Sequence, residues 1–182
     1  MTPRPLLVLG LGNVLCADDG LGVAALARLA RHYEICPDVR LADGGTLGLS
    51  LMGLFDDVDD VLLVDAILAD AEPGSLVLIS GRDVEPAARE RLSVHQVGVA
   101  DLLDALRLIG GEPRRLALIG LVPERVELGL GCSPAVESAL PRLVSALADE
   151  IRRRGHRVAP RRPDAAHAPA PLDPDAARAL GL

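Results

Sequence analysis

Leu6-Leu7-Val8-Leu9-Gly10-Leu11-Gly12-Asn13-Val14-Leu15-Cys16-Ala17-Asp18-Asp19-Gly20-Leu21-Gly22 opens the first structural unit of the chain. Leu6-Leu7-Val8-Leu9 is a short apolar run closed by glycine, the pattern of a strand buried on both faces of a parallel sheet. After a loop over residues 10–20, apolar residues at Leu21, Ala24, Ala25, Leu26, Leu29 and Ala30 recur at helical spacing. Strand, loop and helix in that order predict the start of a βαβ unit.

The order repeats downstream. Val39-Arg40-Leu41-Ala42 reads as a strand, Asp43-Gly44-Gly45-Thr46 as a loop, and residues 47–55 as a helix with Thr46 as its cap. Val61-Leu62-Leu63-Val64 is a third strand ending at Asp65. A Pro73-Gly74 breaker separates it from a further strand candidate, Leu76-Val77-Leu78-Ile79. Residues 82–91 are polar and give no period. Val99, Leu102, Leu103 and Leu106 predict a helix from Val97 to the Gly110-Gly111 pair, and residues 116–122 form the last strong strand. A final helix carries Val136, Leu140, Leu143, Val144, Leu147 and Ile151, with Ser133 as cap and Pro134 in its first position. The expectation is an α/β fold, a three-layer sandwich whose mostly parallel twisted sheet carries helices on both faces. Residues 1–158 form one domain. Residues 159–182 hold five prolines and eight alanines and read as a flexible tail, because such a segment buries too little apolar surface to offset its ordering entropy.

Composition narrows the function. With 26 acidic and 19 basic side chains in 182 residues the net charge is −7, which argues against a nucleic-acid partner held by phosphate neutralisation. Tyr33 and Phe55 are the aromatic residues, so stacking platforms for single strands are missing as well. No apolar run reaches the roughly 18 residues of a membrane span, and Met1-Thr2-Pro3-Arg4-Pro5 leads straight into a strand without a signal sequence. Cys16, Cys36 and Cys132 are odd in number and scattered, which fits reduced thiols in a cytoplasmic protein; without a C-x-x-C pair, a zinc knuckle is excluded.

The loops carry the chemistry. Gly10-Leu11-Gly12 resembles the opening of a dinucleotide fingerprint, yet the third glycine is absent and the helix begins too late. Asp18-Asp19-Gly20 places two carboxylates at the carboxyl end of the first strand, where an open α/β sheet has its crevice. Either carboxylate can instead cap the following helix. Asp65 ends a buried strand at the same edge, where an unpartnered charge is costly. It either caps a turn or serves a metal or catalytic role. His95, just before the 97–109 helix, joins them through a third loop. Two carboxylates and one imidazole suit zinc, nickel, iron or manganese with coordination positions left open. Asp43, Gly44, Gly45 and Thr46 occupy the next loop, where paired glycines either let backbone amides approach a bound chain or form an ordinary turn. Asp56-Asp57-Val58-Asp59-Asp60 lacks the spacing of a calcium loop and reads as a solvated turn. Cys16 reads as a small buried residue more than as a nucleophile.

Taken together, Leu9-Gly10-Leu11-Gly12-Asn13, Asp18-Asp19-Gly20-Leu21-Gly22, Asp43-Gly44-Gly45-Thr46, Val64-Asp65-Ala66, Ser93-Val94-His95-Gln96-Val97-Gly98 and Gly120-Leu121-Val122-Pro123-Glu124 resemble the hydrogenase maturation endopeptidases. The match runs in order from about residue 6 to residue 155. The resemblance implies a protease that removes the C-terminal extension of a nickel–iron hydrogenase large-subunit precursor after nickel insertion. It implies Asp19, Asp65 and His95 as the metal-contacting residues, with the nickel contributed by the precursor; Asp43, Gly44, Gly45 and Thr46 stay a candidate substrate-binding loop on their paired glycines alone. The first position is often glutamate in that family, so Asp19 offers a shorter arm. The resemblance leaves the bond-cleaving step open between a metal-polarised carbonyl or metal-bound water and a base such as Asp43. The competing class is a non-catalytic nickel-checking or nucleotide-binding module of the same architecture.

Overall fold

The computed structural model describes residues 5–90 and 97–161. In chain order its elements are β1 (Leu6–Leu11), α1 (Leu21–His32), β2 (Tyr33–Ile35), β3 (Val39–Gly45), β4 (Asp60–Ala66), β5 (Leu76–Ser80), α2 (Val84–Glu90), α3 (Val97–Leu108), β6 (Arg115–Leu121), α4 (Pro134–Arg153) and β7 (Val158–Pro160). The main sheet has five strands in the order β3-β1-β4-β6-β5. β1, β3, β4 and β6 run parallel, and β5 pairs antiparallel with β6 at one edge. β2 and β7 make a separate two-stranded antiparallel ribbon.

Every residue of β1 and β4 is buried, which is what covering both faces of a parallel sheet requires. Successive side chains go to opposite faces. Leu6, Val8, Leu62, Val64 and Ile119 pack under α1 and α4 with Leu29, Leu143 and Leu147. Leu7, Leu9, Val61, Leu63 and Leu118 pack on the other face against Phe55, Val84, Leu102 and Leu106. The three-layer α/β sandwich read from the sequence is therefore the observed architecture. α4 begins as expected, with the Ser133 hydroxyl accepting from the Val136 N–H at 3.3 Å and Pro134 in the first turn.

Several local expectations are corrected. Residues 47–55 do not form an α-helix capped by Thr46. A 3-10 turn spans Gly48–Phe55, preceded by Leu47 with no side-chain cap. Left-handed glycines at Gly45 and Gly48 (φ 46° and 52°) turn the chain twice before a helix can start. The polar stretch after residue 82 contains α2, whose apolar stripe is only Val84, Ala87 and Ala88. The ribbon formed by β2 and β7 went unread because each strand has three residues. Ala159 and Pro160 thus belong to the folded domain and not to a tail, and the Arg161 N–H donates to the His32 carbonyl at 2.8 Å. Residues 162–182 lie outside the described residues. Asp60 is not part of a solvated turn: it is buried at the start of β4, ion-paired with Arg154 and with Arg115.

The seating of α1 on the sheet depends on Gly22. A β-carbon there would lie 2.2 Å from the Val64 carbonyl oxygen and 2.4 Å from that of Leu11. Glycine in a helix is ordinarily about 1 kcal/mol worse than alanine. Here the sign inverts: Gly22→Ala is expected to destabilise by about 1–3 kcal/mol through overpacking, read as a lower midpoint in urea unfolding. Increased stability would show that α1 has room to lift off the sheet.

Candidate functional site

The strand order fixes where a crevice lies. From β1 the chain crosses to β3 on one side, and later to β4 on the other, so the connections leaving β1 and β4 diverge at the carboxyl ends of two adjacent strands. In open α/β sheets that switch point is where ligands bind. Asp19 lies in the 3-10 turn after β1, and Asp65 is the penultimate residue of β4. Both side chains are fully buried.

The β1–α1 loop is folded tightly enough to aim Asp19 inward. The Asn13 N–H donates to Asp19 Oδ2 at 2.8 Å, the Asn13 side-chain oxygen accepts from the Leu15 N–H at 3.0 Å, and the Cys16 N–H returns to the Asn13 carbonyl at 2.9 Å. Gly12, at φ 113°, has no alternative residue, since a β-carbon would sit 1.7 Å from the Asp19 carbonyl oxygen. Ala17 is held at φ 50°, a conformation costing an alanine about 1–3 kcal/mol. The surroundings over-determine it: the Ala17 N–H donates to the Gly129 carbonyl at 2.8 Å, and Gly129 donates back to Leu15 at 2.9 Å.

The two adjacent aspartates divide their work, and neither caps α1 with its side chain. Asp18 Oδ2 accepts from the N–H groups of Glu124 and Arg125 at 2.9 and 3.0 Å, and its Oδ1 accepts from the Ser133 N–H at 2.6 Å. It is a brace that ties the β6–α4 connection to the β1–α1 loop. The sequence holds no signal for that role, because the donors lie more than 100 residues away.

Asp65 Oδ1 accepts from the Ala66 N–H at 2.7 Å. Burial pushes the Asp65 carboxyl well above the usual carboxylate range; the Ala66 hydrogen bond pulls it down, and the nearby Asp19 charge pushes it further up. Asp19 therefore lies near enough to Asp65 for its charge to act on that carboxyl. At the next strand end, Asp43 Oδ1 accepts from the Gly45 N–H at 3.0 Å in a local turn, and partial burial raises its carboxyl. Gly45 accepts from the Gly12 N–H at 3.0 Å and Gly44 from Leu47 at 3.1 Å, so residues 43–46 lie beside the Asp19 loop. Thr46 is exposed. α3 starts at Val97, and Gly98 in its first turn lies against Gly48. His95, two residues before α3, lies outside the described residues. Cys16 is buried.

A family model described as HycI, hydrogenase maturation protease, matches residues 23–150. The hydrogenase 2 maturation protease of Escherichia coli K12 is 35% identical over 157 residues, covering 86% of this chain and 96% of its own length. The hydrogenase expression/formation protein HupD of Rhodobacter capsulatus is 37% identical over 153 residues, covering 82% and 72%. Among solved structures, the E. coli hydrogenase maturating endopeptidase HybD superposes with a TM-score of 0.79 at 33% identity, covering 86% of this chain and 97% of that one. HybD from Thermococcus kodakarensis gives 0.67 at 28% identity, covering 80% and 97%.

The raised Asp65 carboxyl has a consequence for stability. The folded state holds that proton more tightly than the unfolded chain, so stability falls as pH rises from the ordinary carboxylate value through the folded-state value. Asp65→Asn mimics the protonated form at every pH. It is expected to melt several degrees above the wild type at neutral pH, with the two curves converging in acid. Equal melting temperatures at both pH values would show that Asp65 is accommodated as a carboxylate without penalty.

Proposed function

The chain belongs to the hydrogenase maturation protease family and is a peptidase, and on that premise we propose that it removes the C-terminal extension of a nickel-loaded hydrogenase large-subunit precursor. The observation that carries the reading is the pair of buried carboxylates at the switch point, with Asp65 raised by burial and by Asp19. A neutral ligand gains nothing from such a pair, whereas a divalent cation relieves the repulsion and displaces the proton. Asp19, Asp65 and His95 are the three donors. Three protein donors are few for a stored ion and leave positions open for one that arrives already ligated by the substrate. Nickel therefore acts as part of the substrate, read as proof of metal loading.

The rim of the crevice suits a protein substrate. Val14 and Leu15 after β1, Leu47 and Leu49 after β3, Leu68 after β4, and Leu128 and Leu130 after β6 are exposed large apolar side chains. Leu128 and Leu130 are 87% and 81% exposed, and the Gly129 backbone between them is bonded to the Asp19 loop. Apolar residues gathered around a polar crevice are the mark of an interaction surface. Residues 43–46 form one bank of that surface and contact the substrate chain. At the bond to be cut, the substrate's nickel supplies positive charge to polarise a carbonyl, and Asp43 is the base that takes a proton from attacking water. The free thiols Cys16, Cys36 and Cys132 support a cytoplasmic location.

The test is to mix the protein with nickel-loaded and with nickel-free precursor and to measure the mass of the large subunit. Shortening of the loaded form alone is expected. His95→Ala and Asp19→Asn should each abolish it while circular dichroism and melting remain those of a folded protein. Equal cleavage of both precursors would remove nickel as the checkpoint and reassign the three residues to an ordinary hydrolytic or structural role.

A further inference from the structure

A second group of metal-ligating side chains stands at the opposite, amino end of the sheet. Cys36 and Asp38 lie in the connection between β2 and β3, and His156 lies between α4 and β7. One ligand atom from each comes within 4.8 Å of the other two. The Cys36 Sγ to His156 Nδ1 distance is 4.0 Å, and His156 is 4% exposed. No part of the carboxyl-end chemistry uses these residues.

The backbone holds the three in place. The Cys36 N–H donates to the Arg157 carbonyl at 3.1 Å, the Val39 N–H to Cys36 at 3.1 Å, and the Leu6 N–H to Asp38 at 2.9 Å. The His156 N–H donates to Ile151 at 3.2 Å, and the pairing of Ile35 with Val158 fixes the two connections beside each other. We propose that Cys36, Asp38 and His156 form a zinc site that clamps the β2–β7 ribbon to the start of β3.

The donor chemistry selects the ion. A thiolate, a neutral imidazole and a carboxylate carry two negative charges, which a divalent ion neutralises, and sulfur and nitrogen donors favour zinc over magnesium or calcium. Zinc bonds of about 2.3 Å to sulfur and 2.0–2.1 Å to nitrogen at a tetrahedral angle place S and N about 3.6 Å apart. The 4.0 Å separation is a few tenths of an ångström from that value, and Asp38, being exposed, has room to swing its carboxylate into the third position. The fourth position is left to water.

The test uses the full chain carrying Asp19→Asn and Asp65→Asn, which silences the carboxyl-end pair, stripped with a chelator and titrated with zinc chloride in a calorimeter. One equivalent should bind, and cobalt in its place should give a thiolate-to-cobalt charge-transfer band. Adding Cys36→Ser should abolish the band and weaken zinc binding by more than about tenfold, since even losing an outer-shell partner costs about 10–100-fold. The exposed substitution Asp38→Asn, which leaves the core untouched, should weaken zinc while keeping the band. Zinc should also raise the melting temperature of the wild type more than that of its Cys36→Ser variant. No band, a band that survives Cys36→Ser, or unchanged zinc affinity in both Cys36→Ser and Asp38→Asn would overturn the assignment.

Discussion

Two carboxylates buried next to each other at the open end of a parallel sheet set the terms for the rest of this molecule. Asp19 comes from the turn after β1 and Asp65 from the end of β4, and the Asp19 charge adds to burial in raising the Asp65 carboxyl. Keeping them together requires that neither the β1–α1 loop nor the end of β4 relax away. The loop is therefore bonded to itself through Asn13, and to the β6–α4 connection through the three N–H groups that converge on Asp18. Gly12 and Gly22 let the Asp19 backbone and α1 approach more closely than any side chain would permit. The left-handed Ala17 is a further cost accepted at the same place.

Those costs fall together at the switch point of the sheet. The fold places the expense where the crevice is, and recovers it in two large aliphatic clusters on the faces of the sheet. At the amino end the arrangement differs. There Asp60 is answered by Arg154 and Arg115, with Glu150 bonded to Arg154 at 3.0 Å. One end of the sheet is thus tied by ion pairs, and at the other the Asp18 carboxylate gathers three backbone N–H groups.

The fold was legible wherever apolar runs were continuous. Leu6-Leu7-Val8-Leu9, residues 61–64 and residues 116–121 could be little else than central parallel strands, and α4 announced itself by Ser133, Pro134 and its long apolar stripe. Legibility failed where pairing replaces pattern. Tyr33-Glu34-Ile35 follows α1 without a turn residue and becomes a strand only because Val158-Ala159-Pro160 returns to it. The dinucleotide-like reading of Gly10-Leu11-Gly12 missed that the close helix packing was supplied ten residues later, by Gly22. Asp19 and Asp65 were read as lying at the carboxyl edge of the sheet, and both lie there. What separates Asp18 from Asp19 is a set of backbone donors more than 100 residues distant, and the same long reach joins Cys36 to His156.

The central claim is that burial and the Asp19 charge hold the Asp65 carboxyl above the ordinary range, the property on which the proposed cation recognition rests. Carboxyl-carbon NMR titration of the full-length free protein, labelled at aspartate, addresses it directly. The account predicts an Asp65 midpoint well above the ordinary carboxylate range, a lower midpoint in Asp19→Asn, and release of the Asp65 proton when nickel is added. An Asp65 midpoint in the ordinary range, indifferent both to Asp19→Asn and to nickel, would contradict it.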